Sequence, residues 1–192
     1  MHREGGGVDS PWVNNSFTYN IIPKSAEKLL LLELKWQVVD NERTCWNKIR
    51  FLDSFSFFPK SLSQLIQVQK SDNFDSFPLL KQHFPDSEMY DLLTSKGVYA
   101  YDYYCSGARL SEEKLPPIEA FHNSLTNSEC TVEEYEFAKK VWAKGDCKNG
   151  WDYCRLYLAS DVLTLLDIVC KNTHQIYSEF GLDIGYYFLH HI

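Results

Sequence analysis

The most strongly patterned stretch of the chain runs from Asp152 to Gly181, DYCRLYLASDVLTLLDIVCKNTHQIYSEFG. Its apolar residues recur at the helical period. Wound as an α-helix, it gathers Leu158, Val162, Leu166 and Val169 on one side. Tyr157 and Asp161 then stand one turn apart on the other, more polar side. Gly181 supplies a left-handed stop.

Upstream the apolar runs are shorter and strand-like. FTYNII, from Phe17, reads as a strand closed by Pro23, with Lys24 to Lys28 as a turn. Leu29 to Val39 is long and aliphatic, Asp40-Asn41-Glu42 is a polar reversal, and Lys48 to Phe58 reads as the partner strand of an antiparallel pair. Pro59 ends it, and Ser61 is placed to cap a helix through Leu62, Leu65, Ile66 and Val68. Ser71 to Phe84 reads as an ordered loop, Asp86 to Leu93 as a short helix, Lys96-Gly97 as a turn, and VYAYDYY as strand-like or extended. A charged linker from Leu110 to Pro117 leads to a short helix over Ile118 to Leu125. Thr131 caps a firmer helix, with Glu133 and Glu134 in its first turn and Lys139 and Lys140 near its end, a distribution that suits the helix dipole. Gly145 to Gly150 is a loop. The pattern predicts an α+β fold over residues 17–192, antiparallel strands first and helices after, behind a glycine-rich disordered segment at residues 1–16.

With 192 residues, 44% of them hydrophobic and 15% aromatic, the chain is long and apolar enough for a packed core. No apolar run approaches membrane-spanning length, and MHREGGG lacks the apolar core of a signal peptide. An intracellular location, the nucleus included, and no membrane partner are therefore expected. The six cysteines are scattered without a CxxC pair and are expected to be reduced and mostly buried. Cys147, Cys154 and His174 match no common zinc spacing. The formal charge of −7 lacks the basic excess of a free-standing nucleic-acid binder, so any nucleic-acid contact rests on a few placed residues.

Seven stretches then stand in one order: IIPKSAEK, IRFLDSFSFFPKSLSQL, SKGVYAYDY, LPPIEAFHNSLT, EEYEFAKKVW, LYLASDVLTLLDIV and FGLDIGYY. Together they resemble the exonuclease region of protein-primed family B DNA polymerases, nearest to those of Polinton (Maverick) type mobile elements and related viruses. The resemblance covers the chain from about Tyr19 onward and implies part of a ribonuclease H-like 3′–5′ proofreading domain. Tyr157-x-x-x-Asp161 is similar to the third exonuclease motif. On that likeness Asp161 ligates Mg2+ or Mn2+ and Tyr157 orients the attacking water. Ser61-Leu62-x-x-Leu65 resembles the Ser/Thr-Leu motif that holds single-stranded primer ends. Lys96 resembles the lysine set beside the exonuclease site, and Tyr101 its aromatic partner. The family's partners would be single-stranded DNA and a terminal protein primer. Each of these residues also has a plain structural reading: a surface Asp and half-buried Tyr, an N-capped helix, a solvated turn lysine. Asp53 reads as a strand-end scaffold residue.

The family's first two motifs, an Asp-x-Glu and a later Asp, lie upstream of the IIPKSAEK segment. Here only Glu4 and Asp9 are acidic upstream of it. Asp40/Glu42 and Asp86/Glu88 imitate the first motif in the wrong place, and read as a hairpin turn and a helix start. The polymerase palm motifs have no counterpart. The expectation is a polymerase fragment carrying the later part of the exonuclease domain, inactive on its own. The alternatives are a non-catalytic single-strand or protein-binding remnant, or a small nuclease built from Asp40, Glu42 and Asp161.

Overall fold

A computed structural model of the chain describes residues 17–23, 29–40, 43–71, 76–95 and 97–184. Its fold is α+β, a small antiparallel sheet followed by helices. The chain divides into two compact units, Met1–Pro59 and Lys60–Ile192.

The first unit is a three-stranded sheet in the order β1 (Phe17–Pro23), β2 (Leu29–Asp40), β3 (Arg43–Leu52). Residues alternate between sheet faces, so the register sorts them. Tyr19 and Ile49 flank Leu34, and Ile21 and Phe51 flank Leu32, giving one apolar face. Tyr19, Ile21, Ile49 and Phe51 on it are exposed. On the opposite face Asn20 and Arg50 flank Glu33, which is buried beneath an ion triad: Arg50 Nε at 2.7 Å and Lys35 Nζ at 2.9 Å. Those two cations hold the Glu33 carboxyl down at about 2, below its ordinary 4.5.

The third strand begins at Arg43, earlier than the Lys48 expected, and stops at Leu52 instead of Phe58. Asp53 ends it. Its carboxylate accepts the Phe55 N–H at 3.0 Å and caps a 3-10 turn over Ser54–Ser56, so the aromatic run SFSFF leaves the ladder. Asp53 is thus the strand-end scaffold residue foreseen. The reversal at Asp40 is a hairpin, with Asp40 paired to Arg43; Glu42 lies outside the described residues, as do Glu4 and Asp9.

Among the described residues the second unit holds six α-helices: α1 (Leu62–Ser71), α2 (Pro78–His83), α3 (Ser87–Leu93), α4 (Gly107–Leu110), α5 (Val132–Lys144) and α6 (Gly150–Phe180). Side chains start α1, α3 and α5 as the sequence suggests, and α6 as well. The Ser61 N–H donates to Gln64 Oε1 while Ser61 Oγ accepts from Gln64 N–H, a reciprocal cap on α1. Asp86 caps α3, Thr131 and Glu134 form a capping box on α5, and Asn149 caps α6. Gly181 closes α6 in the left-handed conformation at φ 65°.

Two expected stretches differ. Residues 71–84, expected as loop, contain α2, which starts at Pro78 and has no side-chain cap of its own. Its first amides are met from a distance in sequence: Leu79 and Leu80 N–H both donate to the buried carboxylate of Asp167, at 3.1 Å each. Ile118 to Leu125 is a 3-10 turn over Ile118–Phe121 and then a tight reversal closed by the Asn123–Ser128 bridge.

On α6 the side that carries Leu158, Val162 and Leu166 faces outward, while Val169 on the same side is half-buried. The buried side carries Tyr153, Leu156, Thr164, Asp167 and Ile168, packed with Phe77, Leu80, Leu93 and Val141. Its polar groups are satisfied within the core. Tyr153 O–H donates to the Val98 carbonyl at 2.6 Å, Thr164 O–H to the Ser160 carbonyl at 2.7 Å, and Asp167 accepts the two α2 amides. Hydrogen bonding therefore lets the more polar side be the inner one.

Candidate functional site

Tyr157 and Asp161 stand one turn apart in the middle of α6, and Tyr157 meets the segment 97–101. Both are half-buried. Gly97 lies flat against the Tyr157 ring: a Cβ there would stand 2.6 Å from Tyr157 Cε2, so only glycine leaves room for the ring. On its other contacts Tyr157 stacks on Tyr99, with ring centroids 4.8 Å apart, and meets Tyr101 edge-on at 6.1 Å. The Tyr101 and Tyr157 hydroxyls are 2.6 Å apart. Tyr99 continues inward to Tyr104 and Tyr153, and Tyr153 meets Trp142. The segment VYAYDYY, expected as strand-like or extended, pairs with no described strand and turns over residues 101–103; Tyr99 and Tyr101 both reach the same ring.

Burial raises the Asp161 carboxyl above its ordinary value of 3.8, with the Tyr157 hydroxyl opposing the shift by hydrogen bonding. Burial also raises the Tyr157 phenol, and the hydrogen bond to Tyr101 adds to the effect. The phenol is therefore a fixed hydrogen-bonding group, unsuited to act as a base. Ser160, beside Asp161 in sequence, anchors the helix by donating to the Leu93 carbonyl at 2.9 Å.

Of the residues singled out by sequence, Tyr157, Asp161 and Tyr101 are brought together. Ser61 and Leu62 are not joined to them by any hydrogen bond: Ser61 is engaged in its cap and with Ser63 Oγ at 3.1 Å, and Leu62 packs on the core. Helix α1 does lie against α6. Lys96 lies outside the described residues, next to the Gly97 that contacts Tyr157. Gly97 and Tyr99 were missed. Tyr103, two residues beyond Tyr101, turns away to Glu112 and Arg109, so strand alternation offers no signal for the cluster.

Among the described residues no three His, Cys, Asp or Glu side chains converge to hold a metal ion. Asp161 offers one carboxylate, too little to balance even one divalent cation. The described donor set does not by itself make a two-metal centre. Of the cysteines only Cys147 is buried, fewer than expected, and burial pushes its thiol up to about 11, away from reactivity. No described helix is long and apolar enough to cross a membrane.

No protein-family profile, no curated protein and no solved structure matches this chain.

Proposed function

We propose that this chain is a portion of a DNA-directed DNA polymerase of the protein-primed family B type, carrying the later part of a ribonuclease H-like 3′–5′ exonuclease domain. The supporting observation is that Tyr157 and Asp161, matched to the third exonuclease motif, share one face of α6 with Tyr101 hydrogen-bonded to the same phenol. On this reading Asp161 is one of several carboxylates that grip Mg2+ or Mn2+, the remainder lying outside the residues described. Tyr157 holds the attacking water, and Tyr101 and the Ser61 segment steady the single-stranded primer end. The exposed apolar side of α6 agrees with a helix built to pack on a larger sheet.

A second reading, a non-catalytic single-strand or protein-binding remnant, is favoured by the same exposed apolar surfaces. The test is a paired assay on the purified chain with labelled single-stranded DNA at low salt, with and without Mn2+. The polymerase reading expects Mn2+, shared between Asp161 and a phosphate of the strand, to tighten binding, an Asp161→Ala variant to lose that gain, and no cleavage of the 3′ end. Binding indifferent to both Mn2+ and Asp161 would favour the remnant. Mn2+-dependent degradation abolished by Asp40→Ala would establish a self-sufficient nuclease instead.

A further inference from the structure

The outward side of α6 carries one apolar line, Leu158, Val162, Leu166, Val169, Tyr177 and Phe180, with Thr173 between. Steps of 4, 4 and 3 residues repeat twice along it. That spacing is close to the period of the helix itself, so the line runs nearly straight for about 33 Å. All of it is exposed except Val169 and Thr173, which are half-buried. No Lys, Arg, Asp or Glu falls on it. Its second half borders an open recess of about 380 Å³, lined in part by Val169, Thr173, Tyr177 and Asp183. We propose that this line is the contact surface of a weak homodimer, in which two copies of α6 pack antiparallel about a two-fold axis between Val169 and Cys170.

The line is complementary to itself in that orientation. Leu166 stands as far before the axis as Thr173 stands after it. Each copy's Leu166 therefore falls opposite the other copy's recess, a knob facing a hole. Val162 lies opposite Tyr177, and Leu158 opposite the helix end at Phe180. A parallel pair in register would instead set Leu166 against Leu166 and leave both recesses unfilled. The charges beyond the line agree with the antiparallel order. Arg155 lies before one end, and Glu179 and Asp183 flank the other. Reversing one helix brings each Arg155 toward the acidic end of its partner, whereas the parallel order sets like charges together.

One helix against another over this length is a small contact, at the low end for a specific interface. The dimer is accordingly weak, with a Kd on the order of 100 µM. At the micromolar concentrations of an unfolding experiment the line stays exposed. The proposal does not rest on the polymerase reading. That reading covers this side of α6 with a larger sheet, whereas the line, its recess and its charged ends need only a second α6.

The experiment is sedimentation equilibrium of the purified chain from about 10 µM to about 1 mM. It should show a monomer passing to a dimer and nothing larger. Leu166→Glu should weaken the dimer at least about tenfold, since pairing would bury the new charge in both copies. Phe51→Glu, on the exposed apolar face of the sheet, should leave it unchanged. Arg155→Glu should weaken it about threefold, and adding Asp183→Arg to that variant should recover the loss. A short thiol-to-thiol crosslinker reads the same geometry without any substitution that could disturb the fold. Cys170 is exposed and next to the axis, so it should link two copies, and the link should vanish in Cys170→Ser. A monomer at every concentration would overturn the dimer and leave the polymerase reading standing. So would a dimer lost in Phe51→Glu but kept in Leu166→Glu, or one linked through Cys45 or Cys105 and not through Cys170.

Discussion

The two sides of α6 invert the usual expectation. One side is almost purely apolar and faces outward: Leu158 is 59% exposed, Val162 54% and Leu166 44%. The other contains a phenol, a threonine hydroxyl and a carboxylate, and it is the side that packs. Sequence periodicity locates an amphipathic helix but does not say which side has a partner. What decides it here is pairing: Tyr153, Thr164 and Asp167 each find a hydrogen-bond partner inside the unit, and Phe77, Leu80 and Val141 fill the space between them. A polar group whose partner is already in place loses little on leaving water.

The largest way to break this contrast is Asp167→Ala. The change leaves the Leu79 and Leu80 amides at the start of α2 without an acceptor, in a helix that has no side-chain cap of its own. Two buried unsatisfied donors cost about 3 kcal/mol together. Urea denaturation should show that loss, and hydrogen exchange should place it at α2. Asp167→Asn, which keeps one acceptor oxygen, should recover roughly half.

Next comes Gly97→Ala, which strikes the junction between the packed side and the candidate site. The new Cβ would meet the Tyr157 ring at 2.6 Å, and that ring is held by Tyr99 and Tyr101. Relief requires moving the ring or the backbone at residue 97, at about 1–3 kcal/mol. The Tyr101–Tyr157 hydrogen bond should break, seen as loss of the shared hydroxyl proton resonance. A ring that stayed in place, with that resonance unchanged, would show that residue 97 does not position Tyr157.

How much of this was legible in the sequence depends on range. Local signals were readable: Ser61, Asp86 and Thr131 cap the helices they precede, and Gly181 ends α6. Asp53 was identified as a strand-end residue, but the aromatic run after it still suggested a longer strand than the cap permits. The pair Tyr157 and Asp161 followed from helical spacing. Tyr101 comes to the site only through the resemblance, and Gly97 and Tyr99 not at all, because they reach Tyr157 from some sixty residues away, through packing that no local pattern encodes. Asp167 was invisible for the same reason: its partners are the Leu79 and Leu80 amides, far off in the chain.

Two acids extend the comparison to pH, with opposite signs. Glu33 in the sheet unit is held at about 2 against an ordinary 4.5. Its ionised form favours the fold, so that stabilisation is complete above about 4.5 and is lost as pH falls toward 2. Asp161 is raised, so its protonated form is the one the fold prefers. Its contribution is complete below the ordinary 3.8 and declines as pH rises through its own higher value. Carboxyl NMR titration should find Glu33 low and Asp161 high. Hydrogen exchange should show acid weakening β2 and β3 while the middle of α6 gains protection. Glu33→Gln should remove the first trend without touching the second.

The smallest effect belongs to the outward side of α6. Replacing Leu158 or Val162 by Ser removes an apolar side chain already more than half exposed, and serine's lower helix propensity adds only a few tenths of a kcal/mol. The expected change in unfolding free energy is therefore within about 0.5 kcal/mol, an order less than a buried large-to-small change such as Ile168→Ala, at about 2–5 kcal/mol. Solubility should move the other way: each serine shrinks an exposed apolar stripe, and sedimentation should show less association at high concentration. A loss near that of Ile168→Ala would mean that Leu158 and Val162 are covered when the chain folds in solution, and the inversion between the two sides of the helix would disappear.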